Sequence, residues 1–190
     1  MANGQEEKGG VKEMTEARWK REQALVQKIL EKAPYAEGRV RRERRIEFKV
    51  PADRIRDFLT LLKENNFELM LQITVVDWLK EGEYELVYQM WSITHRTHAM
   101  VKMRIPRELD KARMPTVKDI YPVAETYERD AHDFYGVYFE GNEKMEMPWI
   151  LDDAEQGLFP HRKDFDMLSY VKKKYKILDR FDENKDNYVI

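Results

Sequence analysis

The chain has 190 residues, 34 of them Lys or Arg and 36 Asp or Glu, so its formal charge is only −2 although 37% of it is charged. That balance argues against a dedicated nucleic-acid binder, which carries a strong basic excess, and the absence of cysteine excludes a disulfide, a thiolate nucleophile, a zinc–thiolate site or a cysteine-ligated iron–sulfur cluster in this chain. No apolar run reaches the roughly 18 residues that span a membrane, and the polar first residues do not read as a signal peptide, which points to an intracellular chain.

Residues 1–13 are polar and glycine-containing and are expected to be disordered. A helix is predicted from Thr15 as its N-cap, with Trp19, Leu25, Val26, Ile29 and Leu30 as its apolar stripe and Pro34 as its stop. Over 39–50, Val40, Ile46, Phe48 and Val50 alternate with charges, so a half-buried strand is expected near 44–50. Its cluster Arg39, Arg41, Arg42, Arg44 and Arg45 reads as an anion or RNA contact, or more simply as the charges of an edge strand that block unwanted pairing. Residues 51–66 carry the plainest helical pattern, with Ile55, Phe58, Leu59 and Leu62 at i, i+3, i+4, i+7. Three apolar, β-branched stretches at 67–79, 84–94 and 99–105, separated by short turns, form an antiparallel meander.

Residues 106–115 read as a charged connection. Thr116 followed by Asp119 has the shape of a capping box for a helix over 118–134 that would bury Val123, Tyr127, Ala131 and Phe134 and pair Glu125 with Arg129. Gly136 is the expected helix terminator, followed by a short strand at 137–139. The fold class is therefore α+β, a mainly antiparallel sheet with helices packed on it, plus an extended C-terminal tail. The chain divides into 1–13, a domain over 14–140 and a partner-binding segment over 141–190.

Two residue patterns invite a site. His95 and His98 share one turn and could bind a metal if acids converged on them. Glu128 and His132 lie one helical turn apart beside Asp133, which with His161 could serve a small metal-dependent hydrolase. No zinc-protease pattern, nucleophile elbow or phosphate-binding glycine loop accompanies either.

A longer pattern points elsewhere. Tyr127-Glu128-Arg129-Asp130, Asp133-Phe134-Tyr135-Gly136-Val137, Phe139, Gly141, Ile150-Leu151-Asp152-Asp153 and Pro160-His161-Arg162-Lys163-Asp164-Phe165 follow one another in this chain. Together they resemble the thirty-kilodalton subunit of respiratory complex I, a family with members in related membrane-bound nickel–iron hydrogenases and sulfur-reducing complexes. The family's Gly-His-Pro stands here as Gly141-Asn142-Glu143, its Arg before Ile-Leu as Trp149, and a Leu of its closing motif as His161. These departures favour a divergent, archaeal relative, and the highly charged composition suits a hot environment.

The resemblance implies a non-catalytic subunit of the hydrophilic arm, peripheral on the cytoplasmic side of the cell membrane. It would bind no cofactor itself and would pack against a hydrogenase-like large subunit, in a complex with a small iron–sulfur subunit that couples electron transfer to ion translocation. Iron–sulfur clusters, and any nickel–iron centre, would belong to those partners. Glu128, Arg129, Asp133, Arg162, Lys163 and Asp164 are expected to form internal or intersubunit ion pairs that fix the turn and tail. A tail without a core of its own is expected to be partner-bound or disordered, with Phe165, Tyr170, Tyr175 and Phe181 as anchors.

Overall fold

The computed structural model describes residues 19–175. The expected Thr15 cap, the segment 1–13 and the anchor Phe181 lie outside the described residues. Helix α1 (Lys20–Lys32) turns Leu25, Val26 and Ile29 inward and ends at Ala33, before Pro34. Its Glu22 is also buried, because its carboxylate accepts a hydrogen bond from the Arg44 amide at 2.9 Å.

That contact marks a difference from the single strand expected near 44–50. The segment is a hairpin, β1 (Glu37–Arg42) and β2 (Arg45–Lys49), reversed at Arg44 with φ 57°. Strand β2 is internal, so the edge arginines are those of β1. Ile46 and Phe48 of β2 are fully buried. Gly38 lets helix and hairpin close together, since a Cβ there would lie 2.8 Å from Val26 Cγ1.

Helix α2 (Ile55–Glu64) follows a single 3-10 turn, and Ile55, Phe58, Leu59 and Leu62 are all 0% exposed, as their spacing predicts. Each such side chain contributes about 1.5–3 kcal/mol by leaving water. The meander follows as β3 (Leu69–Trp78), β4 (Glu83–Ser92) and β5 (Thr97–Pro106). The sheet order is β1-β2-β5-β4-β3, antiparallel except where β2 runs parallel to β5. Registers such as Val75↔Leu86 and Leu86↔Met103 put the inward residues on one face, where the core lies.

The stretch 106–115, expected to be a connection, contains β6 (Arg113–Pro115), which pairs in parallel with β7 (Tyr138–Glu140). Between them helix α3 (Ala124–Tyr135) starts six residues later than expected. The capping box does not form. The Thr116 hydroxyl donates to Glu128 at 2.6 Å and accepts only a long 3.3 Å bond from the Lys118 amide. Residues 117–123 run as turns, and Pro122 lies just outside the helix. Nor is the buried stripe the apolar one: Val123 is exposed, Tyr127 and Phe134 are half-buried, and the buried residues are Ala124, Glu128, Arg129, Ala131 and Asp133. Gly136 does end the helix in the left-handed region, φ 81°, and an alanine methyl there would press on Leu109 and Phe159.

Past residue 140 the chain returns to its own domain. Asn142 and Met145 are buried, and the Lys163 amide donates to Asp77. The last described element, α4 (Met167–Tyr175), is held at its start by Asp166, whose carboxylate accepts from the Ser169 amide at 3.0 Å, and contains no buried residue.

Candidate functional site

The charged face of α3 is used internally. Glu128, 0% exposed, accepts hydrogen bonds from the Thr116 hydroxyl (2.6 Å), the Val117 amide (2.8 Å) and the Asn142 side-chain amide (2.9 Å). Burial pushes its carboxyl above the usual range, and the three donors offset this only in part. Asp133 accepts from the Ile150 and Leu151 amides at 2.9 and 3.2 Å. Arg129 donates to the Pro148 carbonyl at 2.9 Å and lies 4.7 Å from the ring of Trp149. Three charged side chains within about one and a half helical turns thus bind the backbone of loops on either side of the helix. That backbone has no ladder to satisfy it, and buried peptide groups require partners.

These contacts replace the ion pairs expected for Glu128, Arg129 and Asp133. The Glu125–Arg129 pair is likewise absent, because Arg129 is turned to the 147–149 loop and Glu125 pairs with Lys144 at 2.6 Å. The hydrolase grouping is not assembled either. His132 Nδ1 lies 3.2 Å from the Val137 carbonyl, with its ring against Tyr138 and Phe159, while His161 stacks on Phe134 at 4.1 Å. His95 Nε2 lies 3.0 Å from the Asn65 carbonyl, and His98 belongs to β5, where burial and the Arg45 charge hold its imidazole below the usual range. Among the described residues no three His, Cys, Asp or Glu side chains are grouped to hold a metal ion.

A second polar frame joins the sheet to the start of the C-terminal arm. Arg107 meets Asp77 through two bonds of 2.7 and 3.0 Å and Asp164 through two of 3.0 and 2.5 Å. Arg162 pairs with Asp164 at 3.2 Å, as expected, and Asp77 also accepts from the Lys163 amide at 2.8 Å. Burial alone would raise the Asp77 carboxyl, but the bonds from Arg107 and Lys163 outweigh it and hold it low. Arg107 and Arg162 hold Asp164 low more strongly. The frame closes over Tyr84, whose hydroxyl donates to the Tyr135 carbonyl at 2.8 Å and is pushed up to about 12 by burial. Sequence reading missed Asp77 and Arg107. The available signal was a lone acid in an apolar strand, which must find a partner if it faces the core.

The sign of the pH effect follows. Asp164 has a folded pKa below its ordinary 3.8, so its contribution is complete above that value and is lost as pH falls through the folded pKa. Stability of the wild type relative to Asp164→Asn is therefore expected to be constant near neutrality and to shrink steadily in urea titrations taken below about pH 4. A difference that grows on acidification would contradict the frame.

The remaining expected anchors lie on the arm. Phe165 and Tyr170 rings meet at 5.7 Å, and Tyr170 donates to Glu155 at 2.6 Å. With Leu151, Leu158, Val171 and Tyr175 they line an open apolar groove of about 240 Å³. Met147, Trp149 and Ile150, just before the lining residue Leu151, and Leu168, just after the lining residue Met167, stand exposed, Leu168 by 67%. This row is more apolar surface than one short helix and its loop would leave in water without use.

The model of the family "Respiratory-chain NADH dehydrogenase, 30 Kd subunit" matches residues 48–171. The C subunit of NADH-quinone oxidoreductase from Phenylobacterium zucineum is 36% identical over 127 residues, which are 66% of this chain and 58% of that protein. The chain thus matches rather more than half the length of that relative. The C subunit of F(420)H(2) dehydrogenase from Methanosarcina mazei is 31% identical over 123 residues, 64% of this chain and 76% of that one. A chain in the structure of the membrane-bound sulfane sulfur reductase, an archaeal respiratory membrane complex, is 78% identical, with TM-score 0.83, over 89% of this chain and 99% of that one. The trypsin-resistant fragment of Nqo5 shares the fold, at TM-score 0.54 and 20% identity, over 64% of this chain and 97% of the fragment.

Proposed function

The chain belongs to the family of the 30 Kd subunit of respiratory-chain NADH dehydrogenase, and we propose that it serves as a peripheral, non-catalytic subunit of an archaeal respiratory membrane complex of the sulfane sulfur reductase type. The observation that carries this reading is the 78% identity, over 89% of the chain, with a subunit of such a complex. No helix among the described residues is long and apolar enough to cross a membrane, so attachment would run through other subunits. The partners would be a hydrogenase-like large subunit and a small iron–sulfur subunit on the cytoplasmic side, and the redox centres would be theirs.

The chain's own part is mechanical. Glu128, Arg129 and Asp133 tie down the loops around α3, Arg129 and Asp133 holding the 147–151 loop, and Arg107 holds the start of the arm. Together they present Trp149, Ile150, Leu168 and the arm's groove as apolar surface, with exposed charges of both signs, among them Asp152, Asp153, Lys163, Asp166 and Lys173, in the same stretch of chain. An apolar patch set among mixed charges suits a large neighbouring subunit. Purifying a tagged chain from its own membranes in mild detergent, with mass spectrometry of what accompanies it, tests the reading. Hydrogenase-like large and iron–sulfur small subunits are expected together with membrane proteins. Nickel-binding cysteines in the large subunit would mark a hydrogenase instead, and a chain that purifies alone would overturn the reading.

A further inference from the structure

The two edges of the sheet differ in kind. Strand β1, at one edge, exposes Glu37, Arg39, Arg41 and Arg42 and carries a glycine and a bulge, the devices that discourage a further strand. Strand β3, at the other edge, is ten residues long and reads LMLQITVVDW, without Lys, Arg, Pro or Gly. Its one charge, Asp77, is 4% exposed and turned to Arg107. Leu69, Leu71, Val76 and Trp78 are 36–44% exposed along it. It has one bulge, between Met70 and Gln72, and from Gln72 to Trp78 it pairs with β4 without interruption. Among the described residues, helix α3 lies against β3 and β4 is its only strand neighbour, so its outer N–H and C=O groups face no ladder.

An edge of this length without charges or proline is a template for another strand. Resting on the proposed assembly role, we propose that β3 receives an extended, uncharged segment of a neighbouring subunit, which continues the sheet by backbone hydrogen bonding. Two observations select this occupant. The edge offers no charge to pair with, so an acidic or basic segment would lose solvation without return. It also adjoins the arm: Asp77, near the end of β3, accepts the Lys163 amide at 2.8 Å, so a subunit seated on the arm lies within reach of the edge. A second copy of this chain, meeting β3 edge to edge, would share a ribbon roughly 33 Å long and about 10 Å deep. That is well short of the ~1,000 Å² a specific interface needs.

The complex purified through the tagged chain tests this. The outward-facing amides of β3, those not bonded to β4, are expected to exchange at least roughly tenfold more slowly in the complex than in the isolated full-length chain. Leu71→Lys with Val76→Lys, both at exposed positions, should leave the melting of the isolated chain unchanged and cut co-purification of neighbouring subunits several-fold, whereas Arg42→Glu on the opposite edge should not. If the wild-type chain brings no subunits, the assembly role itself fails. If it brings them, the lysine variant does too and exchange is unchanged, only the strand-addition proposal falls. A wild-type chain that dimerises, and that the two lysines return to monomer, overturns the choice of occupant.

Discussion

Arg107→Ala is expected to destabilise the protein by about 3–5 kcal/mol, the cost of leaving one partner of a buried pair behind. For a chain of this size that corresponds to a melting temperature lower by roughly 6–20 °C, at about 2–4 °C per kcal/mol. The cause is Asp77, 4% exposed, which would keep only the Lys163 amide as a donor. Asp164, exposed over about half its side chain, loses less because water can replace the guanidinium. Removing both buried charges, as in Asp77→Val with Arg107→Leu, should recover most of the loss, since no charge is then stranded. The same substitution should release the arm, so trypsin is expected to cleave at Arg162 and Lys163 sooner in Arg107→Ala. A melting point within about 2 °C of wild type would mean that Asp77 is solvated and that the frame does not hold the arm.

Glu128→Ala has the second large effect, again about 3–5 kcal/mol, because it strands three donors, each costing roughly 1–3 kcal/mol when buried unpaired. The Thr116 hydroxyl, the Val117 amide and the Asn142 amide all lose their acceptor, and with it the tie between the loop before α3 and the turn after β7. Glu128→Gln keeps a carbonyl but sets its NH2 against that of Asn142, so a smaller loss of about 1–2 kcal/mol is expected. The pH dependence has the opposite sign to that of Asp164. Burial raises the folded pKa of Glu128 above its ordinary 4.5, so its contribution is complete below that value and is lost as pH rises through the folded pKa. The wild type should therefore lose stability relative to Glu128→Gln as pH rises from 4.5 towards neutrality. Urea titrations at a series of pH values measure this, and a flat difference would place the carboxylate in contact with water.

The departures from the family's motif acquire a structural meaning. Asn142, in the place of the motif's histidine, is the side chain that completes the Glu128 frame. Trp149, in the place of an arginine, lies over Arg129 and leaves 45% of its surface outward beside the arm. Neither role could be read from the substitution itself, because each depends on which loop passes over α3.

What the sequence determined by itself is local or carried by pattern. Helix α2 follows from four apolar residues on one face, the meander from alternation and turn residues, the end of α3 from Gly136, and the family from short motifs in a fixed order. Each is set by interactions within a few residues, or by a signature that requires no knowledge of contacts. The tertiary structure decided the rest. Whether 44–50 forms an edge or an inner strand depends on pairing with β5, some fifty residues away. The buried face of α3 is charged, and hydrophobic periodicity cannot register a buried carboxylate whose partners are the amides of remote loops. Asp77 and Arg107 are separated by 30 residues, and their pairing exists only because the meander brings the ends of β3 and β5 to the same end of the sheet, on either side of β4. Long-range polar contacts leave no period in the chain, and here they hold the surface that we assign to the partner.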